Sequence, residues 1–148
     1  ADTGRDTLVL GQGTWACQRA ARWDDYLLLR TYHDGYKAFD PVELYDLGED
    51  PHETTNLAEE RPDLVTEGTA IIEEWTAERR RNAATGRAGG NPDSPRALVD
   101  PLFEVIADGG PAYLRGNRES YLRRLRETGR EEHARDIEAR DGIVEAPK

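Results

Sequence analysis

Hydrophobic and polar positions alternate along the first third of the chain and predict short β-strands. Four such segments occur, at residues 7–10, 15–21, 26–32 and 42–47. Turn-forming residues separate them, with a hairpin turn predicted at 22–25 and a longer loop at 33–41. Because the connections are short, an antiparallel meander is the simplest topology for these strands.

One apolar stripe then predicts a long amphipathic helix over residues 62–81. Pro62 suits its first turn, and the stripe is formed by residues at helical spacing, namely Leu64, Gly68, Ile71, Ile72, Trp75 and Arg79. A four-stranded antiparallel sheet packed by this helix can enclose a small core. The expected fold class is therefore α+β, with the sheet and helix forming a unit at residues 7–81.

The remaining sequence divides into a linker and a helical extension. Residues 82–95 are rich in Gly, Asn, Ala and Pro, which is typical of a linker. Three helices are predicted within an extension at 96–142, over residues 100–110, 117–128 and 130–140. Their apolar content is low, so we expect them to pack on the first unit or on another chain.

Composition narrows the classes of partner. The 148 residues carry a formal net charge of −10, which argues against nucleic acid and anionic membrane as partners. The acidic charge together with the scarcity of Lys relative to Arg predicts adaptation to high salt. The scarcity of Lys would also follow from a GC-rich genome. The sequence has no apolar segment of membrane-spanning length and no signal segment, so we expect a soluble protein. The sequence predicts no particular localisation. It also lacks Met, so we expect a piece of a longer protein.

Known catalytic patterns are absent from the sequence. The Gly11-Gln12-Gly13 stretch predicts a flexible corner and is too short for a phosphate-binding loop. The three histidines, His33, His52 and His133, are too widely spaced for helix-borne metal ligands. Cys17 lies in an alternating segment and is expected to be a small buried strand residue. An acidic cluster could bind a hard cation, but a capped, solvated turn is the preferred interpretation of Asp46, Glu49, Asp50 and Glu53.

Residues 43–57 carry the most specific pattern in the chain. Ten of their fifteen positions resemble the E-L-Y-D-L-x-x-D-P-x-E-x-x-N-L segment near the C-terminus of sulfatases, in the alkaline phosphatase superfamily. Upstream, Arg19, Trp23 and residues 26–31 resemble the hairpin that leads into that segment. The resemblance covers about residues 7–81, and the later helices loosely resemble extensions of prokaryotic members.

The resemblance implies a four-stranded antiparallel sheet with a packed helix, and it implies that the chemistry lies elsewhere. The family's nucleophile is a Cys or Ser in a C/S-x-P/A-x-R motif, converted to formylglycine beside a divalent metal, expected to be calcium. Cys17 does not fit, because Arg19 stands in place of Pro or Ala and Ala21 in place of Arg. We therefore expect no catalytic residue, metal or cofactor in this chain, which should be inactive alone.

The expected role is to brace the catalytic domain of a parent sulfatase, with self-association through an apolar patch as a further prediction. His33, Tyr36 and Lys37 are candidates for the rim of the substrate pocket, where a cation would suit sulfate; a plain interdomain or solvent loop is the alternative. A structural role is assigned to the motif residues Glu43, Tyr45, Asp46, Asp50, Pro51, Glu53 and Asn56. Among them, Asp46, Asp50, Glu53 and Asn56 are expected to lock a turn and start a helix. Two other functions stay open: a non-catalytic binding or assembly module, and the tail of a phosphate or phosphonate ester hydrolase.

Overall fold

The computed structural model describes residues 6–35, 37, 39–84, 101–107, 110–111 and 116–140. Its strands are β1 (Thr7–Gln12), β2 (Cys17–Trp23), β3 (Tyr26–His33) and β4 (Val42–Asp46). Its helices are α1 (Pro62–Ala84), α2 (Pro101–Ala107), α3 (Arg118–Glu127) and α4 (Glu131–Arg140). The predicted α+β class, with one long helix on an antiparallel sheet and further helices after it, is confirmed.

The sheet is a meander in which each strand pairs antiparallel with its neighbour in sequence, in the order β1-β2-β3-β4. The turn between β2 and β3 is narrower than predicted, because Trp23 already pairs with Tyr26. Only Asp24 and Asp25 lie between the strands, and Asp24 has a φ of 46°. Asp tolerates this left-handed conformation, so two residues are enough for the hairpin and Trp23 becomes a core residue of β2.

The main core lies between one face of the sheet and α1. Its buried residues come from three strands and the helix, and are Ala21, Trp23, Leu28, Leu44, Leu64 and Ile72. At Gly68 the helix approaches the sheet closely: a Cβ there would lie 2.7 Å from a ring carbon of Trp23 and 2.9 Å from the Leu28 Cβ. Helix α1 thus buries Leu64, Gly68 and Ile72 of the predicted stripe, while the rest of the stripe is half-buried or, at its end, exposed. The helix continues to Ala84, three residues beyond the predicted end at 81.

Strand alternation places a second set of apolar side chains on the opposite face of the sheet. The register aligns Leu8 with Arg22 and Leu27, and Leu10 with Ala20 and Leu29. Leu8 and Leu10 belong to the edge strand β1 and remain 38% and 46% exposed. We call this side of the sheet, formed by Leu8, Leu10, Ala20, Leu27, Leu29 and Tyr45, the outer sheet face; Ala20, Leu27 and Tyr45 are buried within the chain, so its exposed part lies at β1.

The helices beyond α1 fall into two groups. Helix α2 contacts β2 and buries Leu102. Helices α3 and α4 pack on each other around Leu122, Leu125, Ala134 and Ile137. Gly129, with a φ of 76°, ends α3 as predicted. Asn117 takes the predicted N-cap position but makes no side-chain cap hydrogen bond. The predicted linker from residue 85 onward, like the predicted end of α4 at Gly142, lies outside the described residues.

Among the described residues, no helix is both long and apolar enough to cross a membrane. Cys17 is buried in β2, as predicted for a small strand residue.

Candidate functional site

Asn56 ties the segment after the turn back to strand β4. Its side-chain Oδ1 accepts hydrogen bonds from the backbone N–H groups of Leu44 and Ala58, both at 3.0 Å. Its Nδ2 donates to the carbonyl oxygen of Val42 at 3.3 Å and to a carboxylate oxygen of Asp40 at 3.2 Å. One side chain therefore satisfies backbone groups on both sides of the chain reversal, and both of its polar atoms are used.

Asp50 organises the turn before Asn56. One carboxylate oxygen accepts from the backbone N–H groups of Thr54 and Thr55 at 2.7 and 2.8 Å, and the other accepts from the Thr54 hydroxyl at 3.0 Å. These bonds favour the ionised form, so the Thr55 N–H above all lowers the pKa of Asp50. The carboxylate is an acceptor within its own turn.

Two neighbouring acidic residues, Asp46 and Glu53, help to shape the turn. The Oδ1 atom of Asp46 accepts from the N–H groups of Gly48 and Glu49, at 3.0 and 3.2 Å. Glu53 has a φ of 55°, so this residue reverses the chain in the left-handed region. Pro51 lies in the turn between Asp46 and Glu53. We call residues 40–58 the Asn56 corner.

Tyr45 adds the one buried ionisable group of this segment. Its hydroxyl donates to a carboxylate oxygen of Glu43 at 2.9 Å, across the outer sheet face. Burial, followed by this hydrogen bond to an anion, raises the pKa of Tyr45 to about 12. The phenol is thus held neutral and is a hydrogen-bond donor at ordinary pH.

The predicted pocket-rim residues lie at the end of β3 and in the loop after it. The His33 Nδ1 accepts a hydrogen bond from the Gly35 N–H at 3.0 Å. The backbone of Gly110 lies against the imidazole, since a Cβ on Gly110 would lie 2.5 Å from Nε2. Lys37 is exposed and its N–H donates to the Asp34 carbonyl at 3.1 Å. Tyr36 lies outside the described residues, and the rim role of all three stays a prediction.

Over the part of the chain that the structure describes, no group of three or more His, Cys, Asp or Glu side chains is arranged to hold a metal ion. The Asn56 corner therefore has acidic residues in number but not in a ligand set. The carboxylates of Asp46 and Asp50 accept from backbone N–H groups instead.

A cleft of about 340 Å³ lies where the β1–β2 hairpin, α1 and α2 meet. Its walls are formed by Gly11, Gln12, Gly13, Arg19, Trp75, Arg79, Pro101, Leu102 and Val105. Two guanidinium groups flank the same indole: the Cζ atoms of Arg19 and Arg79 each lie 4.8 Å from the ring centroid of Trp75. We call this site the arginine cleft.

The register of the hairpin allows Arg19 to reach the indole. Arg19 pairs with Gly11 on the edge strand, and its guanidinium crosses over that glycine. A Cβ on Gly11 would collide with Arg19 Nη1. On α1, Trp75 and Arg79 are four residues apart and so lie on the same side of the helix.

Sequence reasoning missed this cleft, although two signals were available. Arg19 shares strand parity with the core residues Ala21 and Trp23, so it had to face the helix. Arg79 lies on the same helical stripe as Ile72 and Trp75. The Gly11-Gln12-Gly13 stretch, predicted as a flexible corner, instead has its first two residues in β1. A glycine paired with an inward-facing arginine can indicate a place where the arginine side chain passes over the neighbouring strand, rather than a turn.

Comparison with known proteins gives a weak likeness to a solved structure. No protein-family model matches the sequence, and no curated protein matches it. Among solved structures, the chain resembles a sulfatase-related chain of Bacteroides thetaiotaomicron, described with that organism's metabolism of multiple glycosaminoglycans. The identity is 23% and the TM-score 0.40, over 50% of this chain. The matched region spans only 17% of the length of that chain.

Proposed function

We propose that this chain is the C-terminal subdomain of a sulfatase-like hydrolase, which braces the parent's catalytic domain and does no chemistry alone. The observation that supports the proposal is the spacing of ten specified residues in positions 43–57. Its polar members belong to one hydrogen-bonded corner, in which Asn56 bonds to β4 and Asp50 bonds within the turn. Such a corner forms only when these polar residues have a fixed spacing along the chain. A chance resemblance to the motif would not have to place them in one hydrogen-bonded structure.

The outer sheet face is the surface we assign to the catalytic domain. Leu8 and Leu10 are exposed there on an edge strand whose outer side is unpaired within the described sheet. Trp15, in the β1–β2 connection, is 57% exposed. Large apolar side chains grouped at one edge are typical of an interaction surface. Leu8 and Leu10 lie on the face of the sheet opposite α1, so a domain bound there would leave the packing of α1 on the other face unchanged.

The absence of activity is tested directly on this chain. We expect no release of 4-nitrophenol from 4-nitrophenyl sulfate above the blank, with or without added CaCl₂. Turnover that scales with protein concentration and survives repeated purification would refute the proposal. In the gene, a C-x-P-S-R motif upstream of Ala1 would support a sulfatase parent, whereas an intact gene without any upstream domain would support a binding module instead.

The brace is tested in the parent enzyme by placing a charge on the outer sheet face. Leu10→Glu should weaken the contact with the catalytic domain and lower the temperature at which the parent loses activity. Ala70→Glu adds the same charge at an exposed position of α1 and is the matched control. Equal effects of the two substitutions would show that the outer sheet face is not the contact.

A further inference from the structure

We propose that the arginine cleft binds a small organic oxyanion, in which a sulfate, phosphate or carboxylate group is attached to a ring-sized apolar body. This inference concerns the isolated chain and does not depend on the proposed parent enzyme. It follows from the charge, the shape and the surroundings of the cleft.

The positive charge of the cleft comes from two guanidinium groups that are already oriented. Arg19 and Arg79 each lie over Trp75 at 4.8 Å, and stacking on an indole fixes the plane of a guanidinium. A guanidinium has five N–H donors in a planar fork, which matches the oxygens of a carboxylate, sulfate or phosphate. Since the stacked side chains have less rotamer freedom to lose, an anion binds them at lower entropic cost.

The chain otherwise repels anions, which makes this local charge distinctive. The formal net charge is −10, yet among the described residues the two charged side chains that line the cleft are both arginines. A second groove of about 370 Å³ is also lined by Trp75, and its charged lining residues among those described are Glu74 and Glu78. An anion should therefore enter the arginine cleft and avoid the neighbouring groove, because like charges repel at short range.

The apolar wall defines the second part of the ligand. Helix α2 contributes Pro101, Leu102 and Val105 to the cleft, and Leu102 is buried. Gly13 closes one end, since a Cβ there would already lie at contact distance from Val105 and Leu102, at 3.6 and 3.7 Å. The volume of about 340 Å³ is at the lower end of the range for small-molecule sites, which suits a single ring rather than a polymer.

The experiment titrates the full chain with phenyl sulfate, phenyl phosphate and benzoate, following the Trp75 indole N–H by NMR. We expect a saturable shift of that signal for at least one of the three anions, and the strongest of them identifies the acid group. Inorganic sulfate should bind roughly tenfold more weakly, because it lacks the apolar body. Benzyl alcohol, which keeps the ring and lacks the charge, should give no saturable shift.

A pair of adjacent arginines supplies the matched control. Arg79→Gln removes a lining guanidinium, whereas Arg80→Gln makes the same charge change at an exposed residue that does not line the cleft. We expect Arg79→Gln to weaken binding of the best anion roughly tenfold, as for loss of a charged hydrogen bond, and Arg80→Gln to change it less than twofold. Arg19→Gln is the second test from the opposite wall.

Two results would overturn the proposal. One is the absence of a saturable Trp75 shift with all three aromatic anions. The other is equal weakening by Arg79→Gln and Arg80→Gln, which would show that net charge and not the cleft determines binding. Thermal unfolding of each variant distinguishes a lost site from a lost fold, and a variant that fails to fold is replaced by its partner from the opposite wall.

Discussion

The Asn56 corner and the arginine cleft both concentrate polar side chains, but they use them differently. In the corner, Asn56 bonds to backbone groups of β4 and of its own turn, and Asp50 bonds to backbone groups within its own turn. In the cleft, Arg19 and Arg79 stack on an aromatic ring beside an open volume. The side chains of the corner are held by hydrogen bonds within the protein, whereas the arginine side chains line the cleft in which we propose that an anion binds.

This difference separates the recognisable part of the sequence from the part that can bind. The corner needs fixed spacing because each side chain must meet one particular backbone N–H, and fixed spacing is what makes a sequence pattern specific. The cleft needs only that two arginines and a tryptophan meet in space. A distinctive motif can therefore indicate how a chain is built while the binding surface lies in ordinary sequence.

The largest expected effect is on stability, from loss of the Asn56 bonds. Asn56→Ala leaves the N–H groups of Leu44 and Ala58 without their side-chain acceptor, and we expect it to lower the free energy of unfolding by about 2–4 kcal/mol. Urea unfolding measures this loss. Thr55→Ala, which keeps its backbone bond to Asp50, is the control, with an expected change below about 0.5 kcal/mol. Weaker binding of phenyl sulfate by folded Asn56→Ala would contradict the assignment of stability to the corner and of binding to the cleft.

Two glycines sharpen the comparison, because a methyl group would meet different neighbours at each. At Gly68 it would meet the Trp23 ring and the Leu28 Cβ, which cannot move aside. We expect Gly68→Ala to cost about 1–3 kcal/mol in urea unfolding, although Ala is the better helix former. At Gly11 it would meet only the end of the flexible Arg19 side chain, so Gly11→Ala should spare stability and weaken anion binding. A stabilised Gly68→Ala variant would contradict the close approach of α1.

The pH dependence of stability tests the role of Asp50. Its pKa is lowered in the folded state, so its contribution is present above the unfolded value of about 4 and is lost as pH falls through the folded pKa. Asp50→Asn should be less stable than the parent sequence near pH 7, and the gap should narrow below pH 4. Urea unfolding across this range measures it, with Glu59→Gln as an exposed control. A gap that is constant with pH would mean that the carboxylate charge is irrelevant to the turn.

The smallest effect is expected at Tyr45. Its pKa is raised to about 12, so its contribution is present below the unfolded value of about 10 and is lost as pH rises from 10 to 12. Tyr45→Phe should lose about 0.5–1.5 kcal/mol at pH 7, from the bond to Glu43, and should show less alkaline destabilisation. Tyr121→Phe in α3 is the control. Identical alkaline profiles for Tyr45→Phe and the parent sequence would argue against a neutral phenol on the outer sheet face.

Much of the fold could be predicted from local sequence, because strand alternation and the helical stripe are local signals. Leu64, Gly68 and Ile72 indicate the buried side of α1 without knowledge of the sheet. The Asp residues that follow Trp23 predict a turn there, and only the pairing of Trp23 with Tyr26 reveals its place in the core. The arginine cleft depends on the Gly11–Arg19 register and on α2 lying beside them. Both relations depend on pairing or packing between different segments, which the periodicity within one segment does not predict.

The meander order also bears on how quickly the protein assembles. Each strand pairs with the next along the chain, and Asn56 reaches no further than Asp40, sixteen residues back. Domains whose contacts are close in sequence fold faster than those that join distant segments. The sheet and its corner can therefore form early during synthesis, once α1 has emerged to cover them. The arginine cleft must wait for α2, so binding capacity is acquired after the framework is complete.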